Sequence, residues 1–450
     1  MSRFPRSVRC PQVFWSRLGC PCPVRGERMS KARHRHFRSA WWPVLLPLTL
    51  ILASEYKFRS RSGHQAISGG VDAVILLEIG VYGVVALYLY RRFGIRPPRR
   101  RAPAPLLLGW AFASYSLLSA LWSPFHQFAL VRGVQMMITA AVCHVVATRA
   151  DRDDLYRLAH AFVVLVLFSV GFGLAVPLKR TPQTMDRFNW LYVHPVSAGI
   201  FLGIALLLTV AFALPGGLPR RWPVSAYLVT ILVLAAALIA TGTRGAAGAC
   251  AAGVLALVVV ARGARGRAEL LIIGVPTAIV VGLVFTDSLL SFATRGESVE
   301  QLETLNARTD LWTLALDAFA KQPFFGNGLS AARGLFLDEI GLGGGHNAFV
   351  NALVEGGAVG VTLFCTLLIV LATVNVGLSR LPARRADAAL LVSLVLFFAV
   401  DGLTAEMSAA PANVASVWLY MVIAWTVILM NQSGDRARRP PATTERAPVP

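Results

Sequence analysis

Charge is scarce in this sequence. Asp, Glu, Lys and Arg make up only 15% of its 450 residues, against roughly 25% in soluble domains. With 56% hydrophobic residues, that deficit excludes an ordinary soluble enzyme. Acidic residues are rarer still, 23 against 43 Lys and Arg. A basic excess gathered on one folded face would suggest nucleic acid. Here it is spread over short loops and tails, which reads as a topology signal, so no nucleic-acid partner is expected. The six cysteines form no C-x-x-C: Cys20-Pro-Cys22 has the wrong spacing, and Cys143, Cys250 and Cys365 stand singly in apolar segments. No disulfide framework, redox motif or metal site is therefore expected, and no cofactor. A Gly-rich phosphate loop with lysine, His-Glu-x-x-His and Gly-x-Ser-x-Gly are all missing, which argues against soluble nucleotide chemistry and the common hydrolase and zinc sites.

What the sequence does have is long apolar runs. Twelve spans are expected near 41–54, 71–90, 105–122, 128–148, 158–177, 190–213, 224–241, 246–261, 270–287, 347–376, 386–402 and 411–431. The first is shorter than the ~20 residues that cross a bilayer, and the eighth is also short. The fold class is an all-α polytopic membrane protein. With the N-terminus inside, 31 of the 43 Lys and Arg fall in inside segments, which sets the orientation by the positive-inside rule. Both termini are then cytoplasmic. Residues 1–40 carry ten Lys and Arg and no signal-peptide run, and are expected to be a disordered tail. Met29 is a candidate start. Residues 431–450 read as a second disordered tail, leaving 41–430 as the transmembrane domain.

One outer loop, 288–345, is far longer than the rest. Within it Leu311, Trp312, Leu314, Ala315, Ala318 and Phe319 recur at helical spacing, predicting an amphipathic helix over 306–320 near the membrane surface. Lys321-Gln-Pro-Phe-Phe-Gly-Asn-Gly ends it. The loop runs into Gly343-Gly-Gly-His346-Asn347, and Asn347, Asn351 and Glu355 follow at i, i+4, i+8 on one predicted helix face. Polar groups at membrane depth mark functional sites; the bland alternative for His346 is a capping residue. Three more clusters fall on the outer side. Arg244 lies in the small turn Thr241-Gly-Thr-Arg-Gly, as an anion-binding or a snorkelling arginine. Arg308 starts Arg-Thr-Asp-Leu-Trp on the loop helix, as a site residue or an exposed charge. Arg187 and His194 flank an aromatic stretch before span six, which also fits an interfacial belt. Asp401 and Glu406 line the same vestibule or are merely solvated. Ser119 to Ser123 and Arg132 form a weaker outer cluster.

The order of these motifs resembles the O-antigen ligase / polysaccharide polymerase superfamily of bacterial membrane glycosyltransferases. The resemblance rests on Ser119 to Ser123, Arg187 to Ser197, Thr243-Arg-Gly, Arg308-Thr-Asp-Leu-Trp, Pro323-Phe-Phe-Gly-Asn-Gly and His346 to Gly360. It implies a GT-C-like fold in the bacterial cytoplasmic membrane and an undecaprenyl-diphosphate-linked glycan as donor. A glycan or lipid acceptor would receive the sugar by ligation or polymerisation, with inversion and without a metal. It also implies catalytic roles for His346, Arg308 and Arg244, and partners in envelope biosynthesis. Asn347, Asn351, Glu355, Arg187 and His194 are candidate substrate-binding residues. The basic, Ala- and Arg-rich composition suggests a GC-rich genome, and in an organism without lipid A polymerisation would replace ligation. Two other readings stand beside this one: a multi-pass transporter of an organic anion, and a non-catalytic assembly partner.

Overall fold

The computed structural model describes residues 41–56, 72–94, 103–176, 187–262, 308–340 and 345–437, except the side chains of 308–310, 338–340 and 433–437. Residues 43–450 form one unit and Met1–Trp42 another; the elements below belong to the former, save the first residue of the first helix. All regular structure among the described residues is helical. The helices are α1 (Trp42–Glu55), α2 (Ala73–Phe93), α3 (Ala104–Leu118), α4 (His126–Arg149), α5 (Arg152–Ala175), α6 (Pro195–Ala213) and α7 (Val224–Ala240). They continue with α8 (Arg244–Ala261), α9 (Arg308–Lys321), α10 (Ala331–Ile340), α11 (Ala348–Ser379), α12 (Arg385–Asp401) and α13 (Val414–Ala437).

Among the described residues, eight helices are long and apolar enough to cross a membrane: α2, α3 with its short extension to Leu121, α4, α5, α6, α8, α11 and α13. Each expected span except the ninth coincides with a helix; the ninth, near 270–287, lies outside the described residues. Helix α1 spans 14 residues with Pro47 inside it. The tails 1–40 and 438–450 and the first part of the long loop also lie outside the described residues.

Local signals fix where the helices begin. Asp72 accepts from the amides of Val74 and Ile75 at the start of α2. Asp151 and Asp154 bond reciprocally at the start of α5, forming a capping box. Pro195 occupies the first turn of α6, where its missing N–H costs nothing.

The centre of the bundle is α6 and α13, whose spanning windows are 83% and 89% buried. Both are apolar on every side, as a helix enclosed by others must be. Small residues bring the neighbours close. A Cβ at Gly199 would press on Thr243 and Ala246 of α8, and one at Gly203 would collide with Phe397 of α12. Helix α2, only 22% buried, lies at the periphery. A charged pair holds it there: Arg132 Nη1 of α4 lies 2.9 Å from Glu78 Oε1, and Gln135 Nε2 donates to the same oxygen at 3.0 Å.

Helix α11 is not one rod. Gly357 has φ 59 and ψ −160, a left-handed backbone that glycine adopts without the Cβ penalty. The break frees carbonyls and amides that would be costly to leave unpaired in apolar surroundings. Residues 323–328 lie across it and take them up. Asn327 N donates to Val354 O at 2.8 Å, and Gly328 N to Glu355 O at 2.8 Å. Ala358 N donates to Pro323 O at 2.8 Å, and Val359 N to Phe324 O at 3.2 Å. The single hydroxyl proton of Tyr115 on α3 is shared between Gly356 O at 2.7 Å and Phe325 O at 2.9 Å. Residues 358–379 alone are about 33 Å long at helical rise, enough to cross a hydrocarbon core of ~30 Å.

The loop helix appears as α9, and one side of it packs on protein. Its buried residues Leu311, Ala315 and Ala318 pack against Ala332 and Phe336 of α10 and Val354 of α11. Half of the row that predicted the helix, Leu311, Ala315 and Ala318, is thus buried against protein. Trp312 and Leu316 remain exposed on another side. A helix presenting this much apolar surface is stabilised by whichever apolar partner lies nearest, and here α10 and the first segment of α11 supply it.

Candidate active site

At one end of the bundle, residues 402–413 connect α12 to α13. The turn before α8 and the start of α11 meet this segment at consecutive residues. Ala348 N donates to Gly402 O at 2.7 Å, and Asn347 Nδ2 donates to Leu403 O at 3.2 Å. On the other side, a Cβ at Gly245 would collide with the Thr404 side chain. Arg244 and His346 are thus each one residue from a group in contact with 402–404, although about a hundred residues separate them in sequence.

The Arg244 turn is built from Arg187. Its Nε donates to Thr241 O at 2.7 Å and its Nη2 to Thr243 Oγ1 at 3.0 Å. Thr243 Oγ1 donates in turn to Pro195 O at 3.0 Å. Gly242 has φ 59, which lets the chain reverse over the Arg187 side chain. Arg244 is then the first residue of α8 and half-buried. His194 caps α6: its Nδ1 accepts from Val196 N at 3.2 Å. Ser197, a turn further on, donates to Met407 Sδ at 3.4 Å. The Arg187–His194 stretch therefore joins the same end of the molecule, and its visible work there is to hold backbone.

His346 lies one residue before the cap of α11. Asn347 Oδ1 accepts from Phe349 N and Val350 N at 2.9 and 3.1 Å. The expectation of Asn347, Asn351 and Glu355 on one helix face needs correction. Asn347 has extended backbone, φ −153 and ψ 125, and spends its carbonyl on the cap. Asn351 and Glu355 occupy the short segment before Gly357, not the body of the spanning part. Asn351 is the link that positions the histidine. Its Oδ1 accepts from Gly345 N at 2.9 Å, and its Nδ2 donates to Glu406 Oε2 at 3.0 Å. Gly345 is buried, and a Cβ there would strike Asn351 Oδ1. His346 itself has φ 47, a conformation few side chains adopt and one associated with functional sites. Its ring is exposed.

Glu355 and Glu406 face a small cavity of about 30 Å³, lined also by Tyr115, Ser116, Ser119 and Asn351. That is room for one water, with polar partners to hold it. The Glu355 carboxylate faces the amides of Ser330 and Ala332, with Arg333 and Glu406 as charged neighbours. Arg333 Nη2 lies 3.5 Å from Glu406 Oε1. Leu329 N donates to Ser119 Oγ at 2.8 Å, and Trp122 Nε1 to Gly326 O at 3.1 Å. The Ser119–Ser123 cluster therefore anchors the loop that closes the α11 break. Arg132, by contrast, belongs to the pair with Glu78. Arg308 is the first residue of α9, whose buried row rests on Val354 of α11. Among the described residues, no group of three or more His, Cys, Asp and Glu is arranged to hold a metal ion.

Glu406 and Thr404 are the residues that sequence reasoning undervalued. Their only signal was polar side chains in a short segment between two apolar spans.

The O-antigen ligase family model matches residues 226–365. The match takes in Arg244, Arg308, His346, Asn347, Asn351 and Glu355, and leaves out Arg187, His194 and the 402–413 segment. No curated protein matches the chain. Over the matched segment, which is less than half of the chain, the resemblance read from the motifs holds, and the apolar helices are those of a membrane protein.

Proposed function

From that family segment, we propose that the chain is a glycosyltransferase that moves a glycan from an undecaprenyl-diphosphate donor to an acceptor hydroxyl. The reaction takes place on the non-cytoplasmic side of the bacterial inner membrane, as ligation or polymerisation. The observation that carries the proposal is the meeting of the Arg244 turn and the His346 helix start on residues 402–404.

The chemistry follows from what each group can do. The donor presents two phosphates at the membrane surface, and guanidinium groups match them bidentately. Arg244 and Arg308 hold the diphosphate and stabilise the charge that grows on it as it leaves. The acceptor hydroxyl is a weak nucleophile, and His346 takes its proton as it attacks. The new bond joins the acceptor oxygen to the anomeric carbon. The bond from that carbon to the phosphate oxygen breaks, and undecaprenyl diphosphate departs. A single in-line displacement inverts the anomeric centre. Asn351 and Glu406 set the position of Gly345 and so of His346, while Arg187 fixes the backbone before Arg244 and His194 caps α6. The broken helix α11 does not favour a transporter. Its carbonyls at 354–356 and amides at 358 and 359 are engaged by residues 323–328 and Tyr115, whereas broken transporter helices offer theirs to a solute.

The test is transfer in reconstituted vesicles, with purified full-length protein, lipid-linked glycan and acceptor. Wild type should elongate or transfer the glycan, and Arg244→Ala and Arg308→Ala should each lose at least tenfold. Wild-type rates in both variants would remove the assigned roles.

A further inference from the structure

The opposite end of the bundle carries a second, larger opening. A cavity of about 450 Å³ lies where α6 and α8 end and α12 begins. The turn at Leu214–Gly217, Val258 and Pro382 supply its apolar walls, and Arg262 and Arg385 supply its charge. Among the described residues, no carboxylate lines it. This end holds the loops that the positive-inside rule assigns to the cytoplasm.

Four other arginines at this end, Arg152, Arg157, Arg220 and Arg221, are engaged within the protein. Arg220 donates to the carbonyls of Phe212, Ala213 and Leu214. Arg152 bonds Ala383 O and pairs with Asp387, Arg157 pairs with Asp154, and Arg221 with Asp153. The Asp387 carboxylate, two residues from Arg385, is taken by Tyr156 and Trp425 as well. Arg385 gives Nε to Ser379 O at 3.2 Å, which fixes its stem and leaves the two terminal nitrogens of the fork. Arg262 is exposed at the end of α8.

We propose that this cavity is a binding site for the phosphate headgroup of an anionic phospholipid from the inner leaflet. Two guanidinium groups suit one phosphodiester. The volume lies in the range of small-ligand sites. The apolar walls suit the glycerol and the first carbons of the acyl chains, which a free phosphate does not have. A basic pocket between helix ends at the cytoplasmic face is where such headgroups are retained. The alternative reading of Arg262 is as a charge complementing the C-terminus of α8; that role needs no lipid and predicts no lipid selectivity.

Full-length protein in detergent should retain phosphatidylglycerol over phosphatidylcholine at least fivefold, read by native mass spectrometry. It should also gain thermal stability from phosphatidylglycerol alone. The Arg262→Gln, Arg385→Gln pair should lose that selectivity, and Arg91→Gln, at the same end on α2, should keep it. Ala261→Phe fills the cavity without removing a charge and should also lose it, which keeps the test open if the double variant folds poorly. Equal retention of phosphatidylglycerol by the pair and by Ala261→Phe would overturn the site. Stabilisation by inorganic phosphate at the same concentration equal to that by phosphatidylglycerol would overturn the lipid as its occupant.

Discussion

Where α5 and α12 begin, Asp387 accepts from Tyr156 Oη and Trp425 Nε1, each at 2.9 Å. Nearby, His160 is held between Tyr156 O at 2.7 Å and Tyr227 Oη at 2.8 Å. Where α8 and α11 begin, the polar side chains mainly hold the backbone of a turn and a helix start: Arg187 binds Thr241, Asn347 the α11 amides and Leu403, and Asn351 Gly345, with side-chain bonds added from Arg187 to Thr243 and from Asn351 to Glu406. The first group closes on itself among buried rings. The second fixes the frame around an exposed His346 and a half-buried Arg244. Both ends bury polar chemistry, but only one leaves an imidazole exposed at a strained backbone. Burial of polar groups in a membrane bundle is therefore not by itself the mark of a site; what the network leaves open is.

The comparison can be broken by substitution. His346→Ala should lower glycan transfer ~10²–10⁴-fold while leaving the thermal melt in detergent unchanged. A melt lowered along with the rate would move His346 to the structural side. Asp387→Ala should do the reverse, costing about 3–5 kcal/mol because it strands Arg152, Tyr156 and Trp425. The readouts are lower Tm and poorer yield, with the surviving folded fraction still active. Asn351→Ala removes both the Gly345 and the Glu406 bond, a loss of about 1–3 kcal/mol in the loop. Transfer should drop roughly tenfold, through kcat rather than donor KM if the displaced group is the proton acceptor. The smallest effect belongs to Tyr115→Phe, about 1 kcal/mol. It should show as faster proteolysis near 322–328 with the bundle's melt preserved.

The sequence made the spanning helices readable because long apolar runs are a one-dimensional signal. It also made the order of the polar motifs readable. The break at Gly357 was not readable as such. Gly356-Gly357 is permissive, but the bonds that stabilise the break come from residues 323–328 and from Tyr115, far away in the chain. Pro323 to Gly328 could be read as a helix stop, since Pro and Gly act locally, and not as the cover of another helix. The 402–413 segment was hardest to weigh. Nothing in its composition separates a connector from a segment that links the Arg244 turn to the His346 helix start. The same limit hid Asp387, whose partners lie on α5 and α13.

Helix α13 is enclosed on all sides and leaves the ribosome after every helix it packs against. Its neighbours α3, α4, α5, α6, α11 and α12 must enter the bilayer without the element they will surround. Until Val414 onward arrives, the bundle is a ring around a missing post. A frameshift or stop near residue 410 would therefore do more damage than the loss of one peripheral crossing such as α2.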